Sequence, residues 1–348
     1  MPSAVLCVST VNLSFSGLSA LRHHFPLVIR QRPFSPALSA LPACGTVKTV
    51  IPFFFFLFGI VIGSFLNVCI SRIPEGISIV SPGSRCPRCL TPIKPYDNIP
   101  VFGWLLLRGK CRNCALPISA MYPIVEFLTG AIFVLAYHNF GLTLSTLKWL
   151  IFSCLLIVLV VTDLRVRLLP DAITFPGAVV GFLLAFRVLI FDSTAGTLYI
   201  HVFHRLPPYP SLVFNLLNAV LGMLLGSLLL WGAAIAYKLV RKRDGMGFGD
   251  VKMMAMVGAF LGPRETFLTI LVGTLLGSVI GLSWVALLYA FGWKRQLAER
   301  AARRGLGTPI SLRWAIATQY QLPLGTFLGI GALGVVYLVP TLLDHILP

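Results

Sequence analysis

LIFSCLLIVLVVTDLRVRLLPD, residues 150–171, decides how the chain is read. Residues 150–162 carry no charge, and Ser153 and Thr162 are their only hydroxyls. Such a run fits a helix in an apolar medium. It meets water at Asp163; Arg165 and Arg167 follow at once, and Leu169-Pro170 interrupts the pattern. On its own, Asp163 reads equally well as the polar residue that closes a helix at the water line. Asp171, just after the proline, suits the N-cap of the next helix.

The rest of the chain is of the same kind. Of its 348 residues 57% are hydrophobic and only 11% charged, where a soluble domain carries roughly a quarter charged residues. One aqueous core cannot hide that much apolar surface, so lipid is the expected solvent and the expected fold is an all-α, polytopic membrane protein. A helix needs about 20 residues to cross ~30 Å of hydrocarbon. Candidate stretches fall near 50–71, 120–138, 146–164, 172–191, 212–237, 251–262, 266–291 and 322–343, which makes about eight spans. The sixth, VKMMAMVGAFLG, is short and Met-rich and reads as half buried against other helices.

The net charge is +17, and twenty of the 28 Lys and Arg lie in the loops 72–118, 164–171, 238–252 and 292–321. Eight spans put these four loops on one side, whereas the loop 192–211 has Arg205 alone. By the positive-inside rule the basic side is cytoplasmic. The charge is then a topology signal, and no nucleic-acid partner is expected. Residues 1–49 fit this pattern poorly, with Arg22, Arg30, Arg32 and Lys48 and no acid on the predicted outer side. They read as a disordered extension, a targeting segment or an upstream start.

Four of the eight cysteines form two pairs, CPRC at 86–89 and CRNC at 111–114, with 21 residues between them. Thiolates from Cys86, Cys89, Cys111 and Cys114 suit the tetrahedral preference of zinc. Sulfur in all four positions leaves none for water, so the expected metal is structural and folds a small subdomain that could not hold a core alone. Two redox pairs are the competing reading, disfavoured where thiols stay reduced.

The motif GMGFGD ends in Asp250. Gly247 and Gly249 are read as an active-site turn, allowing close approach and an unusual backbone before a helix. A plain glycine turn capped by Asp250 is the simpler alternative. The two acids gain meaning together. Asp163 and Asp250 are 87 residues apart, yet the topology brings both to the cytoplasmic border. Two facing carboxyls in a low-dielectric site can share one proton and activate a water, which is aspartic-protease chemistry. The helix dipole points to Asp250 as the charged partner and Asp163 as the protonated one. No HExxH or HxxxH pair, no Ser-His or Cys-His constellation and no Walker lysine competes.

These motifs occur in order with GSFLNVCISRIP (63–74), NIP (98–100), LLLRGKC (105–111), YPIVEFLTG (122–130), D-x6-PD (163–171) and GMGFGDVKMMAMVGAFLG (245–262). The sequence thereby resembles the bacterial type IV prepilin peptidases, in the GxGD class of intramembrane aspartyl proteases, from about residue 59 to 335. The resemblance implies cleavage of a short basic leader after its last glycine, on the cytoplasmic side. The substrates would be prepilins or the pseudopilins of type II secretion. Many members then methylate the new N-terminal amine with S-adenosylmethionine. The resemblance puts the catalytic aspartates on Asp163 and Asp250 and the zinc-type cysteines on Cys86, Cys89, Cys111 and Cys114. It associates residues 72–118 with methylation; Glu75, Lys94 and Asn98 there have no assigned role, and the residues that bind S-adenosylmethionine are unknown. Three features depart from the family pattern: Met121 in place of an arginine, LPLGTFL (322–328) in place of a Phe-Gly-Pro-type turn, and long inserts at 192–211 and 292–321. None is expected to touch the aspartates.

Gly222 with Gly226, and Gly273 with Gly277, have GxxxG spacing for close helix packing, with a dimer face as the alternative. KRQLAERAARR (294–304) reads as a basic amphipathic helix on anionic lipid, with an ordinary positive-inside loop as the alternative. The Phe53-to-Phe56 run reads as lipid-facing bulk. Glu126, inside a span, needs a partner or a water path, and packing to Asn67, Arg72 or Tyr122 and a role toward substrate are equal readings. The expected organisation is an extension (1–49), a first span (50–71), a zinc loop (72–118) and a transmembrane peptidase core (119–348). Two other functions fit less well: a peptidase that does not methylate, and an ion-coupled transporter, whose acids would cluster at the midplane.

Overall fold

The computed structural model describes residues 42–186, 188, 194–203, 212–242, 247–290 and 323–338. The extension up to residue 41, Gly245 and Met246 of the glycine motif, and the basic stretch 294–304 lie outside the described residues. The described chain forms α1 (Pro42–Arg72), α2 (Phe102–Leu106), α3 (Met121–Phe140), α4 (Leu144–Val166), α5 (Asp171–Leu184), α6 (Thr194–Phe203), α7 (Leu212–Arg241), α8 (Phe248–Leu261), α9 (Pro263–Ala290) and α10 (Leu324–Tyr337). Among the described residues there is no strand, only two isolated bridges in the cysteine loop. The first helix starts at Pro42, so the last eight residues of the expected extension continue into the first span.

Five helices, α1, α3, α4, α7 and α9, are long and apolar enough to cross a membrane. The other three expected spans coincide with α5, α8 and α10, of 14 residues each. At 1.5 Å per residue these reach about 21 Å, short of a full crossing. Helix α8 sits at the centre, against α5, α7, α9 and α10. Its Met253, Met254, Met256 and Phe260 are fully buried, so the Met-rich segment packs on protein all round, beyond the half burial expected. Gly262, at φ +88, ends α8, and Pro263 opens α9 directly. That pairing stops one helix and starts the next without a loop.

Lipid tails are as apolar as the side chains, so close backbone approach, more than hydrophobicity, holds such helices together. A Cβ on Gly222 of α7 would lie 2.3 Å from the carbonyl oxygen of Gly258 on α8, and one on Gly226 would lie 2.5 Å from that of Met254. Gly273 and Gly277 of α9 face Leu328 and Phe327 of α10. Both glycine stripes are therefore used inside the chain and present no dimer face. Part of the Phe run is also internal: Phe55 and Phe56 stack on Tyr137 and Phe127 of α3, while Phe53 and Phe54 stay exposed. Helix α4 begins with Thr143, whose hydroxyl accepts from the Thr146 N–H. It is buried on several sides by α1, α3, α5 and α10. At its start, fully buried Lys148 lies 4.6 Å over the Trp149 ring, with Glu265 of α9 as its charge neighbour.

Candidate active site

Asp163 stands in the last turn of α4 and Asp250 in the first turn of α8. They are only 6% and 8% exposed. Helix α4 ends just beyond Asp163 because Arg167, at φ 55 and ψ 41, turns left-handed and donates its N–H to the Asp163 carbonyl. A non-glycine residue in that region costs about 1–2 kcal/mol. The turn is followed by Leu169, which lies against Gly249 in the first turn of α8.

Helix α10 meets the two acids from the other side. A Cβ built on Gly325 would lie 2.9 Å from Oδ1 of Asp250 and 3.0 Å from Oδ2 of Asp163. The two oxygens flank one point, so the sum of those distances limits their separation to about 6 Å. The next residue, Thr326, donates its backbone N–H at 2.7 Å and its hydroxyl at 3.0 Å to Oδ2 of Asp163. The LPLGTFL segment therefore touches the aspartates directly, against the expectation that no departure does so. Donors aimed at a carboxylate favour its charged form. These two donors act against the dipole-based expectation, which has Asp163 as the protonated partner.

The active-site turn expected at Gly247 and Gly249 takes a different form. Gly247 is the N-cap of α8 with an ordinary extended backbone, φ −73 and ψ 140. Gly249 is helical and matters by proximity, since a Cβ there would meet the Leu169 side chain at 3.0 Å. Leu169 also reaches Gly325, so it closes the site over both glycines. Asp171 does not cap α5: the N-cap is Pro170, with no side-chain bond. Both its carboxylate oxygens instead take Lys252 Nζ at 2.8 Å, and Lys252 lies 5.3 Å over the rings of Phe175 and Phe248. This pair ties the start of α5 to α8.

The cysteine loop forms a second site. The Sγ atoms of Cys86, Cys89, Cys111 and Cys114 all lie within 4.8 Å of one another, with Cys86–Cys114 and Cys89–Cys111 at 3.9 Å. Ligands 2.3 Å from a tetrahedral zinc stand about 3.8 Å apart, so the cluster fits that ion. The two halves are built alike. The N–H of Leu90 bonds the Cys86 carbonyl and that of Ala115 the Cys111 carbonyl, and both residues turn to positive φ. A bridge between Arg85 and Pro92 has its counterpart between Lys110 and Pro117. Arg112 closes on Asp97 through two hydrogen bonds, which hold the Asp97 carboxyl below its ordinary range.

The loop is joined to the membrane helices at Glu126, which accepts the Val101 N–H at 2.7 Å beside Ser64 and Asn67. Of the expected partners, Asn67 thus borders Glu126 and also donates to the Tyr122 carbonyl. Thr326, Gly325, Leu169 and Lys252 are not singled out by the sequence. A Gly-Thr pair opening an apolar run is the one available signal, and it is weak.

The chain is similar to proteins already known. Residues 57–140 match the model of the Bacterial Peptidase A24 N-terminal domain, and residues 150–282 match that of the Type IV leader peptidase family. A Prepilin leader peptidase/N-methyltransferase of Myxococcus xanthus (strain DK1622) is 35% identical over 288 residues, covering 82% of this chain and 77% of that one. The chain belongs to the type IV leader peptidase family. As a leader peptidase it also has relatives of the same name in Aeromonas hydrophila, 34% identical over 67% of this chain and 80% of that one, and in Klebsiella pneumoniae, 38% identical over 60% and 84%. No solved structure matches it. The first family segment holds the cysteine loop and the second both aspartates.

Proposed function

We propose that this leader peptidase cleaves the basic leader of type IV prepilins or pseudopilins after its last glycine. The reaction takes place at the cytoplasmic face of the bacterial inner membrane, with Asp163 and Asp250 as the catalytic pair. The observation that carries the reading is the meeting of the two buried carboxylates at Gly325. Asp163, as the anion, takes a proton from a water, whose oxygen attacks the scissile carbonyl carbon. Asp250 gives its proton to the carbonyl oxygen, forming a diol. The C–N bond then breaks, the amine leaves with the proton held by Asp163, and Asp250 recovers its own from the diol. Gly325 keeps a side-chain carbon out of the gap between the acids.

The position of the acids supports hydrolysis over ion-coupled transport. Asp163 is three residues from the end of α4 and Asp250 two from the start of α8, at one border of the bundle rather than the midplane. The names of the relatives support a second step, methylation of the new N-terminal amine with S-adenosylmethionine. Zinc on Cys86, Cys89, Cys111 and Cys114 would hold the loop in shape and supply no open position for chemistry.

The test is incubation of the protein, in vesicles, with a purified prepilin and S-adenosylmethionine, followed by mass spectrometry of the product. The reading expects loss of the leader at its last glycine and gain of one methyl. An intact prepilin would refute it, and a cleaved, unmethylated product would leave peptidase activity alone.

A further inference from the structure

Residues 99–107, IPVFGWLLL, carry no charge, although they lie in the middle of a basic loop. Water does not favour such a segment, and the fold does not bury it. Phe102 is 58% exposed, Leu105 55% and Leu106 77%, all on the five-residue helix α2. Indole Nε1 of Trp104 donates to the Ile118 carbonyl, which ties α2 to the end of the loop.

The depth of this segment follows from the bond that ties Val101 to α3. Glu126, which holds the Val101 N–H, lies five residues inside the start of α3, about 7 Å along the axis. It is level with Gly63, whose added Cβ would lie 2.7 Å from the Glu126 Cα. Gly63 is nine residues inside the end of α1, about 13 Å. Val101 pays for this position with a strained backbone, φ 63 and ψ −53, rare for a β-branched residue. The segment therefore begins below the ends of both helices, at the level along α3 of the exposed Ile124, Phe127 and Leu128. It continues the apolar belt of the spans. Exposed Arg108 and Lys110 follow directly.

We propose that residues 99–107 form a wedge seated in the lipid leaflet on the cysteine-loop side. Phe102, Leu105 and Leu106 lie among acyl chains, and Arg108 and Lys110 reach back to anionic phosphates. The partner is the bilayer itself. The wedge holds the cysteine subdomain against the membrane face, and it does not depend on the peptidase reading.

The test uses the full chain in vesicles of phosphatidylethanolamine and phosphatidylglycerol. The photocrosslinker p-benzoylphenylalanine replaces Phe102, Leu106 or, as a calibrant in the belt, Phe127, one at a time. After illumination the products are weighed. The wedge predicts phospholipid adducts at 102 and 106 in yields comparable to 127. Adducts at 127 with none at 106 would overturn it, as would crosslinking of 106 to a second copy of the chain in place of lipid. Each variant is exposed at the replaced position, and the adduct at 127 reports insertion.

Discussion

Thr326 gives both of its donors to one oxygen of Asp163, the N–H at 2.7 Å and the hydroxyl at 3.0 Å. A hydrogen bond to a charged group contributes about 1.5–3 kcal/mol, a factor of roughly ten to a hundred in rate if it is needed in the transition state. Thr326→Val keeps the N–H and removes the hydroxyl. It should lower kcat for leader cleavage by about tenfold with KM little changed. Thr326→Ser should restore most of the loss. Steady-state cleavage of a prepilin by the three proteins separates this from a folding defect, which Ser would not cure.

Gly325 faces both acids, and the smallest side chain would fall 2.9 and 3.0 Å from their oxygens. Gly325→Ala should push one carboxylate aside. A displacement near 1 Å can cost on the order of a hundredfold in rate. Cleavage should fall by about that factor while zinc content, measured on the purified protein, stays at the wild-type level.

The Asp171–Lys252 pair is half open to solvent, with side chains 57% and 24% exposed. Exposed pairs are worth about 0–1 kcal/mol. Asp171→Asn should therefore slow cleavage by less than about tenfold. Reversal of the pair, Asp171→Lys with Lys252→Asp, should recover activity. Rates for the single and reversed variants check this.

The four cysteines belong to a loop borne by α1 and α3, while the two acids come from α4 and α8. Replacing Cys86 and Cys111 by serine should abolish zinc in elemental analysis and open residues 72–118 to protease. Leader cleavage should persist within about threefold, since substitutions without shared partners act nearly independently. Methylation, read as product mass, should be lost.

What the sequence makes legible depends on scarcity. Eleven acids in 348 residues leave few that can stand at helix ends, and Asp163 and Asp250 are visible for that reason. The cysteines announce themselves through C-x-x-C spacing, because two knuckles around one ion require it. Thr326 has no such mark. A threonine in an apolar helix usually bonds its own backbone, and only the fold brings it across 163 residues to Asp163. Asp171 misleads because a residue after proline at a helix start has the chemistry of a cap, whereas a lysine 81 residues away takes both its oxygens. The proton assignment from helix dipoles leaves out the two hydrogen bonds that Thr326 gives Asp163, because they too come from a distant segment. The short helices α5, α8 and α10 blur the span count, because composition cannot tell a helix buried in protein from one bathed in lipid.

The most direct measurement compares cleavage rates for Asp163→Asn, Asp250→Asn and the double variant in co-expression with a prepilin. If the acids work as one unit, each single change should slow leader loss by at least about a thousandfold, and the double variant should be no slower than either. Cleavage at near the wild-type rate by either single variant would contradict the shared role of the two carboxylates.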